Sequence, residues 1–313
     1  MKNRAMILGA LCLSLCLSAF AQTSRGTVNG VVTDTAGAVV SGATVVLTNT
    51  ATNVSRTATS NSEGAYRFDA VDLGTYNIKI TATGFGAVNK TSLLVNANLT
   101  TTVDIQLAAG VTEMSVDVTA ESGALLQTEA PVRGGNIDVK RIVELPIAGR
   151  NPVSLALTLP GVSTNRFGFG TSTFSVNGGR GRSNNFLIDG TENNDISVAG
   201  QGFQIKNPDA VQEVSVQTSN YDAEFGRAGG AVVNTITKSG TNSVRGTASW
   251  QYDSTRDDAL TNTQSLSPVL QARGYAPYGT EHFFSGTIGG PVKLPKLYDG
   301  KDRTFFFAAY QNQ

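Results

Sequence analysis

Cysteine is almost missing from this 313-residue chain: Cys12 and Cys16 are the only two. Both lie in an N-terminal apolar stretch, so past it a disulfide framework, a thiolate nucleophile and a cysteine-bound zinc are excluded together. Histidine occurs once, as His282, which removes His–His metal sites and leaves a Ser-His-Asp triad little to build on. Charge of one sign is also lacking, since 24 Lys and Arg stand against 24 Asp and Glu. Nothing in that balance marks a nucleic-acid partner. Past the N-terminus there is no apolar run of the ~20 residues that a spanning helix needs.

The first residues set the compartment. Lys2 and Arg4 give a positive start, and Ala5 to Leu17 form an apolar stretch of roughly 13 residues, within the range of a signal peptide. Ala19-Phe20-Ala21 places small residues at both specificity positions before Gln22, so cleavage is expected between Ala21 and Gln22, with residues 1–21 as the signal. Leu11 and Leu15 stand where a lipoprotein signal wants a small residue ahead of its cysteine. An uncleaved anchor is the competing reading. An exported chain without spanning helices can still enter a membrane as a β-barrel, whose strands give only weak alternating signals. The 34 glycines, with abundant Thr, Val, Asn and Ser, point to β-structure rich in turns.

Residues 22–109 read as short strands at regular spacing, the pattern of a β-sandwich of immunoglobulin-like or prealbumin-like type. Strands are expected over Gly26–Thr33, Ala43–Asn49, Ser55–Ser60, Ala65–Asp69, Thr75–Ala82, Lys90–Val95 and Thr101–Leu107. Tyr76, Ile78 and Ile80 share one face, as do Val103, Ile105 and Leu107. Turn chemistry falls between them at Asp34 to Gly37, Ser41-Gly42, Asn61 to Gly64 and Leu73-Gly74. Gly30 to Asp34, Gly37, Ser41 to Val45, Thr59 to Phe68, Leu73 to Ile78 and Ala82 to Phe85 together resemble the carboxypeptidase-regulatory-like domain. That name denotes an accessory sandwich; a zinc carboxypeptidase would need histidines that this chain lacks. Carbohydrate binding needs exposed aromatics, whereas Tyr66, Phe68, Tyr76 and Phe85 occupy strand positions that suit a core.

A linker over residues 110–127 contains Glu113, Met114, Ser115, Val116, Asp117, Val118, Thr119 and Ala120, alternating apolar and polar. Such an extended segment suits pairing with a sheet edge. It is similar to the TonB box of outer-membrane receptors, which pairs with periplasmic TonB. The last strand of the sandwich and a plain linker are equally open readings.

Residues 128–240 carry four ordered motifs. Ile142 to Asn151 includes Leu145, Pro146, Gly149, Arg150 and Asn151, and leads through an apolar helical run to Pro160-Gly161. Asn151 suits the cap and Pro152 the first turn, with Val153, Leu155, Ala156 and Leu159 facing inward. Phe174 to Arg180 and Asn184 to Gly190 read as two strands joined by a glycine-rich turn, ending at Asp189-Gly190. Asn207 to Gln217 reads as a helical turn over Asp209 to Glu213 and then a strand. Asn220 to Arg227, with Glu224, Gly226 and Arg227, runs on to Gly229 to Asn242. In order and spacing these motifs resemble the plug of TonB-dependent receptors of the Oar-like branch. The resemblance implies that Glu224 and Arg227 make buried ion pairs with a barrel wall; an exposed pair is the plain alternative. Gly178 to Arg182 lacks the order of a phosphate loop. The oxygens of Asp189, Glu192, Asn193, Asn194 and Asp195 lack the spacing of a calcium loop.

Residues 241–313 hold nearly half of the aromatics. Strands are expected over Ser243–Asp253, Glu281–Gly290 and Arg303–Asn312, with turns at Gly289 to Val292 and Lys296 to Lys301. Val244, Gly246, Ala248, Trp250 and Tyr252 alternate with polar residues, as a lipid-facing set would. Barrels of this family have about 22 strands, and strands of ~10 residues need far more than the ~70 positions after Thr241. A truncated barrel in a longer protein is therefore expected, since an open edge is not viable in lipid.

The expected fold class is mainly β: a sandwich, an α+β plug and the first strands of an incomplete transmembrane β-barrel. The resemblance implies a non-enzymatic outer-membrane transporter without cofactor. Its partners would be TonB, outer-membrane lipid and an extracellular ligand, with the sandwich and plug on the periplasmic side. The rival reading is a secreted or surface β-sandwich protein for adhesion or carbohydrate binding.

Overall fold

The computed structural model describes residues 25–110, 114–117, 133–145, 150–164, 174–197, 200–221, 225–226, 228–254, 259–260, 262, 264–274 and 279–312. The expected signal with Ala21 and Gln22 lies outside the described residues, as do Glu113, Val118, Thr119, Ala120, Pro146, Gly149, Glu224 and Arg227.

In the first unit β1 (Gly26–Asp34) pairs antiparallel with β4 (Ala65–Val71) and parallel with β7 (Thr100–Thr102) and β8 (Ile105–Leu107). The facing sheet runs β3 (Ser55–Thr59), β2 (Thr44–Asn49), β5 (Gly74–Thr81), β6 (Val88–Val95) and β9 (Met114–Asp117). Period-two alternation explains the packing: Tyr76, Ile78 and Ile80 are buried in one core with Val28, Val45, Leu47, Phe68 and Ile105. Each such side chain contributes about 1.5–3 kcal/mol by leaving water. Tyr66 and Phe68 are buried and Phe85 packs at the edge of this core, as their strand positions suggested.

The last expected strand of the sandwich is split. The Asp104 carboxylate accepts from Val31 N at 2.9 Å, and Val103 O accepts from the Tyr66 hydroxyl at 2.6 Å. Side chains thus replace ladder bonds between β7 and β8. A Cβ at Gly30 would run into the Val103 carbonyl and the Tyr66 hydroxyl, so this crossing needs glycine.

The second unit is a five-stranded sheet in the order β10 (Arg133–Asp138), β15 (Val211–Ser219), β16 (Val232–Thr237), β13 (Asn185–Ile188) and β14 (Thr191–Glu192). Helix α1 (Val139–Glu144) and a 3-10 helix (Pro152–Thr158) follow β10, and a separate pair joins β11 (Val162–Thr164) to β12 (Phe174–Val176). Two expectations need correction. The strands at Phe174 and Asn185 are not partners, because β12 pairs with β11 while β13 runs parallel to β16. The helical turn expected over Asp209 to Glu213 is a 3-10 turn at Pro208–Ala210, and the β-branched Val211 already begins β15.

The third unit is an antiparallel sheet of β17 (Arg245–Ser254), β18 (Thr280–Pro291) and β21 (Phe305–Asn312), with a small hairpin of β19 (Lys293–Leu294) and β20 (Tyr298–Asp299). Helix α2 (Pro268–Arg273) lies in the β17–β18 connection. Among the described residues this sheet does not close. Gly289 to Pro291, expected as a turn, instead pair with Phe305 to Phe307, so β18 outlasts its glycines.

One face of this sheet exposes Trp250, Tyr252, Phe284, Ile288 and Tyr310. Trp250 stacks on Phe284 and on His282, with centroids 6.4 and 6.0 Å apart. Apolar side chains left outward over paired strands fit hydrocarbon rather than water. Phe284→Arg in the full-length protein should cost about 2–4 kcal/mol if that position lies near the bilayer midplane. Heat-modifiable gel mobility of outer-membrane fractions reads the folded share, and an unchanged share would refute the assignment of this face.

Candidate functional site

The plug-like sheet presents two unlike faces. A bulge between Val211 and Glu213 puts Val211, Val214 and Val216 on one side, packed with Ile137, Phe186 and Val233. Glu213, Ser215 and Gln217 take the other side, and they too are buried. A polar row results across the strands, since Asn136, Ser215 and Asn234 are register partners.

That row ends at the sandwich. Glu213 Oε1 accepts from Asn136 Nδ2 at 2.7 Å and from Ala97 N, just past β6, at 3.1 Å. Asn136 Nδ2 also donates to Ala97 O at 3.1 Å, and Ser215 Oγ donates to Asn136 Oδ1. Burial pushes the Glu213 carboxyl up to about 8, opposed by the Ala97 amide and aided by the charge of Asp138. Asp138 is its partner in register and caps α1 through Arg141 N. A second tie joins Asn242, beyond β16, to the sandwich turn: its amide donates to Ala51 O and its Nδ2 to Thr52 O.

The motif residues build the turns of this unit. Leu145 closes α1 through its amide to Arg141 O, and is exposed. Asn151 caps the 3-10 helix by accepting from Val153 N, and donates to Gln201 Oε1 at 2.7 Å. Val153, Leu155 and Ala156 are buried beneath it, with Leu159 packed at the edge. Pro160-Gly161 ends the run, Gly161 at φ 79. Asp189 and Gly190 have φ of 48 and 79, the pair that a two-residue hairpin turn demands. The Asp189 carboxylate accepts from Thr237 N and Oγ1, both at 2.8 Å, and Gly190 N donates to Asn234 Oδ1. Gly226 O accepts from Asn185 Nδ2 at 3.1 Å.

Toward the third unit the contacts are polar and aromatic. The Arg150 guanidinium lies 4.7 Å from the ring centre of Phe283, on the face of β18 opposite Phe284. Burial lowers its pKa, and the charge of Asp209 opposes that shift; a guanidinium placed over an aromatic ring makes a cation–π contact. Thr247 Oγ1 donates to Asp209 Oδ2, and Asn207 Nδ2 reaches Tyr310 O. The oxygen-rich stretch from Asp189 to Asp195 is spent on internal bonds: Asn194 Oδ1 takes Phe186 N, and Asp195 Oδ1 takes Ser197 N and Oγ. Among the described residues no group of three or more His, Cys, Asp and Glu side chains is placed to share a metal.

Sequence reading did not single out Glu213, Asn136, Ala97 or Asn242, because their partners lie far away in sequence. Of the segment similar to a TonB box, Met114 to Asp117 form β9, at the edge of the sandwich sheet.

Comparisons with known proteins fall along the same three units. Residues 27–108 match the carboxypeptidase regulatory-like domain, residues 130–233 the TonB-dependent receptor plug domain, and residues 236–313 an outer membrane beta barrel domain. The chain is 27% identical over 308 residues to the TonB-dependent transporter Oar of Myxococcus xanthus, covering 94% of this chain and 27% of that protein. It therefore spans well under a third of that relative's length. Among solved structures, the outer membrane transporter YddB from Escherichia coli aligns at 23% identity over 51% of this chain and 24% of its own, with a TM-score of 0.40. The siderophore receptor PirA from Pseudomonas aeruginosa aligns at 20% identity over 51% of this chain and 26% of its own, with a TM-score of 0.35.

Proposed function

We propose that the chain forms the gate and tether of a TonB-dependent outer-membrane transporter, a reading supported by its matches to the plug and outer membrane beta barrel domains and its likeness to the Oar transporter. The observation that carries this reading is the seating of the plug sheet against one face of the barrel sheet. Arg150, Asn207 and Asp209 reach that sheet, while Trp250, Phe284 and Tyr310 point away from the plug into what would be lipid. Ligand would enter from outside and meet the plug. TonB would engage the segment around Met114 to Asp117 from the periplasm, and tension on it would displace the plug. Polar contacts suit such an interface, because single hydrogen bonds such as Thr247 to Asp209 and Asn207 to Tyr310 exchange with water at a net cost of only about 0.5–1.5 kcal/mol each.

Co-purification tests the reading. The full-length receptor should fractionate with the outer membrane and retain TonB after cross-linking, and deletion of residues 111–120 should abolish TonB retention without lowering receptor abundance. Retention of TonB by the deleted form, or recovery of the receptor in the soluble fraction, would overturn it.

A further inference from the structure

We propose that the sandwich masks the coupling strand, so that the edge of β6 competes with TonB for the backbone of Met114 to Asp117; this rests on the coupling reading above. β9 lies parallel to β6 with Val88 opposite Met114, Asn89 opposite Ser115, Lys90 opposite Val116 and Thr91 opposite Asp117. It is the terminal strand of its sheet. In a parallel strand successive residues address opposite neighbours, so four residues turn only about two N–H and two C=O groups outward. That is a short template for a partner that binds by strand addition. A partner gains a full edge only by taking the segment away from β6.

The energetics favour a latch that holds at rest and yields under load. A four-residue ladder at about 0.5–1.5 kcal/mol per bond holds by only a few kcal/mol. Parallel pairing is slightly the weaker kind. The edge itself is fixed to the plug, because β6 runs on to Ala97, whose amide and carbonyl are held by Glu213 and Asn136. The sandwich is therefore positioned to present its edge at a set place beside the gate. This gives the accessory domain a role in controlling access to the coupling strand.

A disulfide across the register pair Asn89 and Ser115 tests the latch. Neighbouring strands are about 4.7–4.9 Å apart, inside the usual Cα separation of about 4.4–6.8 Å for a disulfide. Both native cysteines precede Gln22, so within residues 22–313 the engineered pair has no competitor. The probe is the purified periplasmic domain of TonB, titrated onto the full-length receptor carrying N89C and S115C in detergent. The oxidised receptor should bind at least ten-fold more weakly than the reduced one, with single-cysteine forms indifferent to redox state. Equal binding by both forms overturns the masking, as does failure of the bond to form in the folded receptor. Absence of binding by the unmodified receptor defeats the coupling reading itself, a failure that no redox change would alter. Should Ser115→Cys alone remove binding, T91C with D117C carries the same test.

Discussion

Phe186→Ala should destabilise the plug by about 3–5 kcal/mol, a large share of the 5–15 kcal/mol that holds a typical domain. Phe186 is among the largest fully buried side chains, and its ring meets Phe174 edge-on with centroids 5.9 Å apart. It sits on β13, parallel to β16 with Val233 as partner, and so joins the central sheet to the β11–β12 pair. Removing the ring opens a cavity where the surrounding elements meet, and Phe174, Val176 and Val233 lose a common neighbour. The backbone bonds of Phe186 to Asn193 and Asn194 do not involve the ring, so they offer no compensation. Urea unfolding of the full chain, followed by proteolytic cleavage within residues 133–237, should show the plug transition moved to lower denaturant. The sandwich transition, which rests on a separate core, should stay near its place. A plug transition that does not move would refute the central position given to this ring.

What was legible in the sequence follows the range of the interactions involved. The strands around Tyr76 to Ile80 and Trp250 to Tyr252 announce themselves because each has one apolar or aromatic side and one polar side, which period-two alternation records. Asp189-Gly190 and the Asn151-Pro152 cap were readable because turn and cap chemistry is local. β15 was readable as a strand but not for its role. It lies between β10 and β16 in the sheet, with Val211, Val214 and Val216 in the apolar core on one face and Ala97 of the sandwich against Glu213 on the other, so a carboxylate in its sequence looks like a solvent position. Nothing near Glu213 in sequence signals that Ala97 closes over it. The partner of β13 was hidden for a related reason, since a parallel pairing skips the nearest strand and is decided by the whole sheet. Gly289 to Pro291 misled by composition: Gly and Pro signal a turn, yet here they end a long strand beside Phe305 to Phe307.

The buried Glu213 carboxyl should make the protein less stable as the pH rises from about 4.5 to about 8. The carboxyl is pushed from an ordinary 4.5 up to about 8, chiefly by burial, while the Ala97 amide pulls it down and Asp138 pushes it further up. The native state therefore keeps a proton that the unfolded or undocked chain releases. For an acid with a raised folded pKa, the contribution is complete below about 4.5 and is lost as the pH rises through about 8. Within that window stability should fall by up to about 1.4 kcal/mol per pH unit. The loss falls on the tie between Ala97 and the plug sheet, because that contact covers the carboxyl. Glu213→Gln keeps an oxygen able to accept from Ala97 N and Asn136 Nδ2 and carries no charge at any pH. The variant should match the wild type near pH 5 and exceed it by a margin that widens steadily toward pH 8. Urea midpoints of the two proteins at half-unit steps from pH 5 to 8 measure that difference directly. Parallel profiles would mean that Glu213 is already ionised in the folded protein and that its burial against the sandwich is wrong.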